Sequence, residues 1–252
     1  MAETEKDELL ALYGCQPEKC AVIPGGVNLK NWAKLSKEKA RENLKIGKEK
    51  FVLLYVGRLE WRKGIGTLIE AGNLLKNEIP SLEIIIVGGK IFGRQKNPDD
   101  FKEYKRLENK VKKLGIENMV RFVGMVQNAE LSKFYSAADS LIIPSYYEPF
   151  GLVALEGMAS KIPVIASSVG GLTKIINNNQ NGLLFEPHNP LALKEKILTI
   201  FKSKEIAEKL IKNAEQDVKK YSWQSIAKEV AGLYQSLINN NHQNENSSNS
   251  SA

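Results

Sequence analysis

The sequence predicts a doubly wound α/β fold built on one parallel sheet, and three observations carry that prediction. Short β-branched runs alternate with amphipathic stretches through the central region. Several of the runs are apolar at every position, as strands covered by helices on both faces must be. Four of the six runs end in glycine-rich or polar loops, and in such folds ligands sit beyond the carboxyl ends of the strands.

Taken in order, residues 1–24 hold a short amphipathic helix, with Leu9, Leu10, Leu12 and Tyr13, and a strand-like Ala21-Val22-Ile23-Pro24. That is too little for a domain. From Lys34 to Glu42 lysines alternate with glutamates, the pattern of a solvated helix face. Strands are predicted at Phe51–Val56, Leu82–Val87, Val120–Val123, Ser140–Ile143, Pro163–Ala166 and Gly182–Phe185. Between them, Phe101, Tyr104, Leu107, Val111 and Leu114 recur at helical spacing, with Asn97-Pro98 as a start signal and Gly115 as a stop. A second helix, Ala129–Ala138, is expected to be capped by Asn128 and to bury Leu131, Phe134 and Tyr135. A third opens at Asn189-Pro190. Strands alternating with helices imply right-handed βαβ crossovers. From Asn239 to Ala252 the chain is almost wholly polar and is expected to be disordered.

The 252 residues carry a net charge of +7 and are 42% hydrophobic. No apolar run approaches the ~20 residues of a membrane span, and the acidic start does not read as a signal peptide, so a cytoplasmic location is expected. The basic charge invites a nucleic-acid partner, but no recognition motif accompanies it, so none is expected. Peripheral contact with an anionic membrane is compatible with that charge, which does not establish it. Cys15 and Cys20 read as free thiols, and with His188 and His242 as the sole histidines no zinc site is predicted.

Each strand end can be asked what it presents. After the first strand, Gly57 permits a tight turn, and Arg58, Arg62 and Lys63 stand beside a helix start at about Thr67. Cations beside a helix N-terminus make an anion site, most naturally for phosphate. A solvated basic loop explains this stretch about equally well. Gly88-Gly89 follows the second strand, and Ser167-Ser168-Val169-Gly170-Gly171 the fifth, each readable as a flexible turn. After the fourth, Pro149 and Gly151 mark a helix entry whose first amides, from about Phe150 to Val153, have no helical acceptor. Glu148 precedes that entry and Glu156 lies roughly 7 Å along the helix at about 1.5 Å per residue. Two carboxylates and free amides could hold one polyhydroxylated, phosphorylated ligand.

The string Glu148-Pro-Phe-Gly-Leu-Val-Ala-Leu-Glu156 resembles the E-x7-E signature of family-four retaining glycosyltransferases of the GT-B fold. Ile23-Pro24-Gly25-Gly26-Val27-Asn28 resembles that family's interdomain element, and Gly57-Arg58 with Lys63-Gly64 its G-R-x-x-x-x-K-G loop. Phe122-Val123-Gly124, Pro163–Ala166 with Gly170-Gly171, Asn181–Leu184 and Tyr221-Ser222-Trp223 keep the family's order and spacing, so the likeness covers about residues 5–237. Asn28 stands where the family has aspartate, and Thr173-Lys174 where it has Pro-Glu.

The resemblance implies a Rossmann-like domain, one half of a GT-B fold. Residues 1–24 would be a remnant of the N-terminal domain and hinge, 25–220 the donor-binding domain, and 221–238 a crossover helix. It implies that Arg58 and Lys63 bind the donor diphosphate in place of a metal, and that no cofactor is needed. Glu148 and the amides near Phe150 and Gly151 would hold sugar hydroxyls, Leu152 and Val153 a phosphate, and Glu156 the ribose. Gly57 would line the donor site, and Gly124 and Met125 would meet the base. The expected ligand is a nucleotide-sugar, UDP-linked by likeness to sucrose- and inositol-directed members. The expected partner is an N-terminal GT-B domain, in cis or in trans, without which turnover is not expected. The alternatives are a non-catalytic nucleotide-sugar-binding module, or subunit of a split enzyme, and a phosphorylase, for which no pyridoxal phosphate signature is found.

Overall fold

The computed structural model describes residues 3–32, 35–89 and 97–249, with side chains described from Glu5 to Asn239. Six parallel strands form one sheet in the order β3-β2-β1-β4-β5-β6: β1 Phe51–Val56, β2 Leu82–Val87, β3 Val120–Gly124, β4 Ser140–Ile143, β5 Val164–Ser167 and β6 Leu183–Phe185. The helices are α1 Glu3–Tyr13, α2 Lys37–Leu44, α3 Ile65–Leu75, α4 Pro98–Leu114, α5 Asn128–Ala137, α6 Leu152–Ala159, α7 Leu172–Ile175, α8 Pro190–Lys202, α9 Lys204–Asp217 and α10 Trp223–Asn249. This is the α/β doubly wound, Rossmann-like architecture expected from the sequence.

The period-two geometry of a strand explains why these runs are apolar throughout. Val52 and Leu54 face a core made with α2, α5, α6 and α7, whereas Leu53 and Tyr55 face the opposite core with α3, α4 and α8. The same split runs through β2, where Ile85 and Val87 oppose Ile84 and Ile86, and through β4 and β5. Burying each such side chain stabilises the fold by about 1.5–3 kcal/mol before entropy is subtracted.

Local signals fix the helix ends. Asn97 Oδ1 accepts from the amides of Asp99 and Asp100, and Gly115 closes α4 in the left-handed region at φ 62°. Asn189 caps α8 by accepting from the amide of Ala192, with Pro190 at the first helical position.

Three sequence expectations are corrected. Ala21–Pro24 forms no strand; the chain next pairs at Val27, whose amide donates to the Tyr221 carbonyl at 2.8 Å. Asn128 is the first residue of α5 rather than its cap, and Gln127, at the cap position, makes no side-chain cap bond. As described, α10 runs on through residues 239–249, and 250–252 lie outside the described residues. The Lys34–Glu42 run is not a uniformly solvated face, and Lys34 itself lies outside the described residues. Arg41 is buried, donating from Nε to the Ala137 carbonyl at 3.0 Å and from Nη2 to Asp139 Oδ2 at 2.7 Å. A charge alternation cannot reveal that one member meets a buried carboxylate far along the chain.

Candidate functional site

Strand order reverses between β1 and β4, so the loops leaving these two strands diverge and open a crevice at their carboxyl ends. Lys63 comes from the first loop and Glu148 from the second. Their Nζ and Oε2 atoms lie 2.7 Å apart, each side chain only 16% exposed. The loops are locked together by backbone: the Tyr146 amide donates to the Arg62 carbonyl at 2.7 Å. Gly64, left-handed at φ 64°, packs so closely on the Pro144 carbonyl that a Cβ there would clash.

Arg58 is placed differently from Lys63. Its side chain is 67% exposed and pairs with Glu60 at 2.7 Å, while Arg62 Nε donates to the other oxygen of the same carboxylate at 2.6 Å. Burial pushes the Glu60 carboxyl up, but its bonds to Arg62 and Arg58 outweigh this and hold it below the usual value. The Tyr55 hydroxyl donates to the Arg58 carbonyl at 2.8 Å and so shapes the turn from beneath. Burial, then the nearby carboxylates of Glu148 and Glu60, push that phenol well above its ordinary value, so it stays a donor.

Beyond β1, β2 and β3 lies a cleft of about 650 Å³, lined in part by Gly57, Arg58, Glu60, Gly88, Gly89 and Met125. Its floor is backbone. The Gly57 amide donates to the Val87 carbonyl at 3.0 Å and the Gly88 amide to the Gly124 carbonyl at 2.8 Å, extending the sheet by one residue per strand. A side chain at position 88 would collide with the Gly57 carbonyl, so glycine keeps that floor open. Met125, 65% exposed, stands at the rim.

Glu148, Glu156 and the α6 entry form the neighbouring wall. Gly151 opens α6 at φ 102°, and helix geometry leaves the first-turn amides at Leu152 and Val153 without helical acceptors. Phe150 packs edge-on to Tyr221 at 6.3 Å. The Gly170-Gly171 turn, expected to be flexible, is wedged against this loop: the Gly171 amide donates to the Glu148 carbonyl at 2.9 Å, and a Cβ at either glycine would strike backbone of residues 148–150. Glu156 is partly buried and accepts from the Tyr135 hydroxyl at 2.7 Å. Burial raises its carboxyl above the usual value, with the Tyr135 bond opposing. Tyr135 is fully buried and meets Trp32 edge-on at 5.1 Å.

The structure thus joins Lys63 to Glu148, sets Gly57, Arg58 and Met125 around one cleft floored in part by Gly124, and puts Phe150, Gly151, Leu152, Val153 and Glu156 on the adjoining helix entry. Sequence reasoning missed Tyr55, Glu60, Tyr135 and Tyr146 as supports. Glu60, an acid flanked by two arginines at i−2 and i+2, was a readable signal; the tyrosines act through partners distant in sequence.

The family model for glycosyl transferases group 1 matches residues 36–217. An uncharacterized glycosyltransferase of Methanocaldococcus jannaschii is 35% identical over 241 residues, covering 93% of this chain and 58% of that protein. The D-inositol 3-phosphate glycosyltransferase of Streptosporangium roseum is 32% identical over 243 residues, covering 95% and 54%. Among solved structures, sucrose-phosphate synthase from Thermosynechococcus elongatus superposes with TM-score 0.81 at 34% identity, covering 94% of this chain and 57% of that one. The chain belongs to the glycosyl transferases group 1 family and corresponds to the C-terminal domain of a GT-B glycosyltransferase. It spans little more than half the length of these relatives.

Proposed function

We propose that this chain is the donor-binding half of a retaining hexosyltransferase that uses a nucleotide-sugar, with UDP as the favoured nucleotide. The observation that carries the reading is the Lys63–Glu148 pair at the strand-order reversal, beside a glycine-floored cleft that Arg58 lines. Sugar transfer forms a bond from the anomeric carbon to an acceptor oxygen, which gives up its proton, and breaks the bond to the diphosphate oxygen, whose electron pair leaves with the diphosphate. Lys63 and Arg58 are the cations available to hold that charge, the role a metal takes elsewhere. On binding, phosphate oxygens would replace Glu148 and Glu60 as their partners, which frees Glu148 to accept from sugar hydroxyls. Phe150 and Gly151 would assist Glu148, the Leu152 and Val153 amides would face phosphate, Glu156 would take the ribose, and Met125 would cover the base. UDP is favoured by the overall likeness of the sequence to sucrose- and inositol-directed members of the family.

Among the described residues the site stands on an open face, and Leu12 and Tyr13 of α1 are 73% and 76% exposed. This favours transfer only in company with an N-terminal domain, in cis or in trans, and leaves a non-catalytic nucleotide-sugar module as the second reading. No described helix is long and apolar enough to cross a membrane, and peripheral membrane contact stays a proposal resting on net charge. Calorimetry with a panel of nucleotide diphosphates and their sugars tests the reading. Micromolar to millimolar binding of UDP or a UDP-sugar is expected, and no binding of any nucleotide diphosphate would overturn it.

A further inference from the structure

We infer that Tyr146 is a positioning residue that clasps three strand-end loops and thereby holds Lys63 against Glu148. The inference deepens the donor-site reading above and rests on it for its meaning, though not for its geometry. Tyr146 belongs to the loop after β4, two residues before Glu148. Its amide holds the β1 loop through the Arg62 carbonyl at 2.7 Å, next to Lys63. Its ring meets Trp61 of the same loop edge-on at 5.0 Å. On the β6 side, His188 stacks on the ring with centroids 3.5 Å apart and planes 18° apart. The hydroxyl shares a 2.9 Å hydrogen bond with Thr67 Oγ1, a buried side chain in the first turn of α3.

The four contacts engage Tyr146 through its amide, its ring and its hydroxyl. His188 sits at φ 61°, an uncommon conformation for a residue with a side chain, just beyond β6 and before the cap of α8. That backbone holds the imidazole over the phenol. Lys63 has a long flexible stem, and holding it still costs side-chain entropy. A clasp that fixes both backbone segments leaves only the last bonds of the lysine to be ordered, so the cation is in place before a phosphate arrives. Preorganisation of this kind raises affinity by lowering the ordering cost at binding.

The test reads the clasp without a ligand and then with one. Brief acetic anhydride labelling of the full chain, followed by peptide mass spectrometry, compares Lys63 with exposed Lys30 as reference. In the wild type Lys63 is expected to label several-fold more slowly. In Tyr146→Ala and His188→Ala the Lys63 rate should rise while Lys30 stays constant, and Tyr146→Phe should stay close to wild type. If Tyr146→Ala unfolds, all lysines will rise together, and the exposed-site variant His188→Ala decides. Unchanged Lys63 labelling in the decisive variant overturns the inference. In the ligand arm, UDP-glucose should bind Tyr146→Ala about tenfold more weakly, equivalent to ~1.4 kcal/mol, with Tyr146→Phe restoring affinity. Wild-type chain that binds no nucleotide would sink the donor reading alone. Wild-type binding that Tyr146→Ala leaves unchanged would sink the clasp alone.

Discussion

Lys63 Nζ lies 2.7 Å from Glu148 Oε2, and the pair joins two loops 85 residues apart in sequence. Both groups are mostly shielded from solvent, so each is the other's counter-charge while no ligand is bound. Lys63→Ala therefore acts twice. It removes a cation that would meet the diphosphate, and it leaves a shielded carboxylate unpaired. Donor binding should weaken by about 10- to 150-fold, the equivalent of roughly 1.5–3 kcal/mol for a charge-assisted bond. Calorimetry with UDP measures this, and an affinity within twofold of wild type would remove Lys63 from the phosphate site.

The two glutamates should divide the ligand between them. Glu156→Gln is expected to weaken UDP and UDP-sugar alike, because the proposed contact is ribose. Glu148→Gln should spare UDP and weaken only the sugar-bearing donor. Paired titrations of both variants with both ligands decide this, and equal weakening of UDP by the two substitutions would refute the assignment.

Much of this was legible beforehand because it is local. The strands are apolar on both faces and flanked by turn residues, so β1, β2 and β4 lie where the periodicity puts them. Asn97-Pro98 and Gly115 bracket α4 for reasons confined to one turn of chain. Partnerships were not legible. Nothing in a sequence window says that Arg41 meets Asp139, that Tyr135 meets Glu156, or that Gly171 seats the backbone of Glu148. Candidate residues of the site could therefore be named, whereas the side chains that hold them had to be seen.

Glu156 also sets a pH dependence. Burial raises its carboxyl above 4.5 in the folded chain. Between the unfolded and folded values the native state binds more protons than the unfolded state, so stability from this group falls as pH rises. The contribution is fully present below about pH 4.5 and is lost as pH passes the raised folded value. Glu156→Gln removes the ionisation. Its stability relative to wild type should therefore climb as pH rises from 4 to 7, even as nucleotide affinity drops. Urea titrations at several pH values check this, and a pH-independent difference would show that Glu156 is not held in its raised state.

Turnover is where the open face matters most. Group transfer needs donor and acceptor held in attack geometry with water excluded, and orientation alone can contribute about 7–11 kcal/mol to lowering a barrier. In this chain the Lys63–Glu148 pair and the cleft beside it lie on the strand-end face, and no described element closes over them. α1 leaves Leu12 and Tyr13 largely exposed beside a shallow cavity that Leu9 also lines, apolar area that a second domain could cover. The 252-residue chain alone is therefore expected to bind donor and to transfer no sugar at a useful rate. Adding an N-terminal GT-B domain of the same family, covalently or in trans, should restore transfer, and Leu12→Asp should block that restoration while leaving donor binding intact. A radiolabelled UDP-sugar with a broad acceptor mixture provides the measurement. Transfer by the chain alone at about 1 per second or faster would show that the face is already a complete active site.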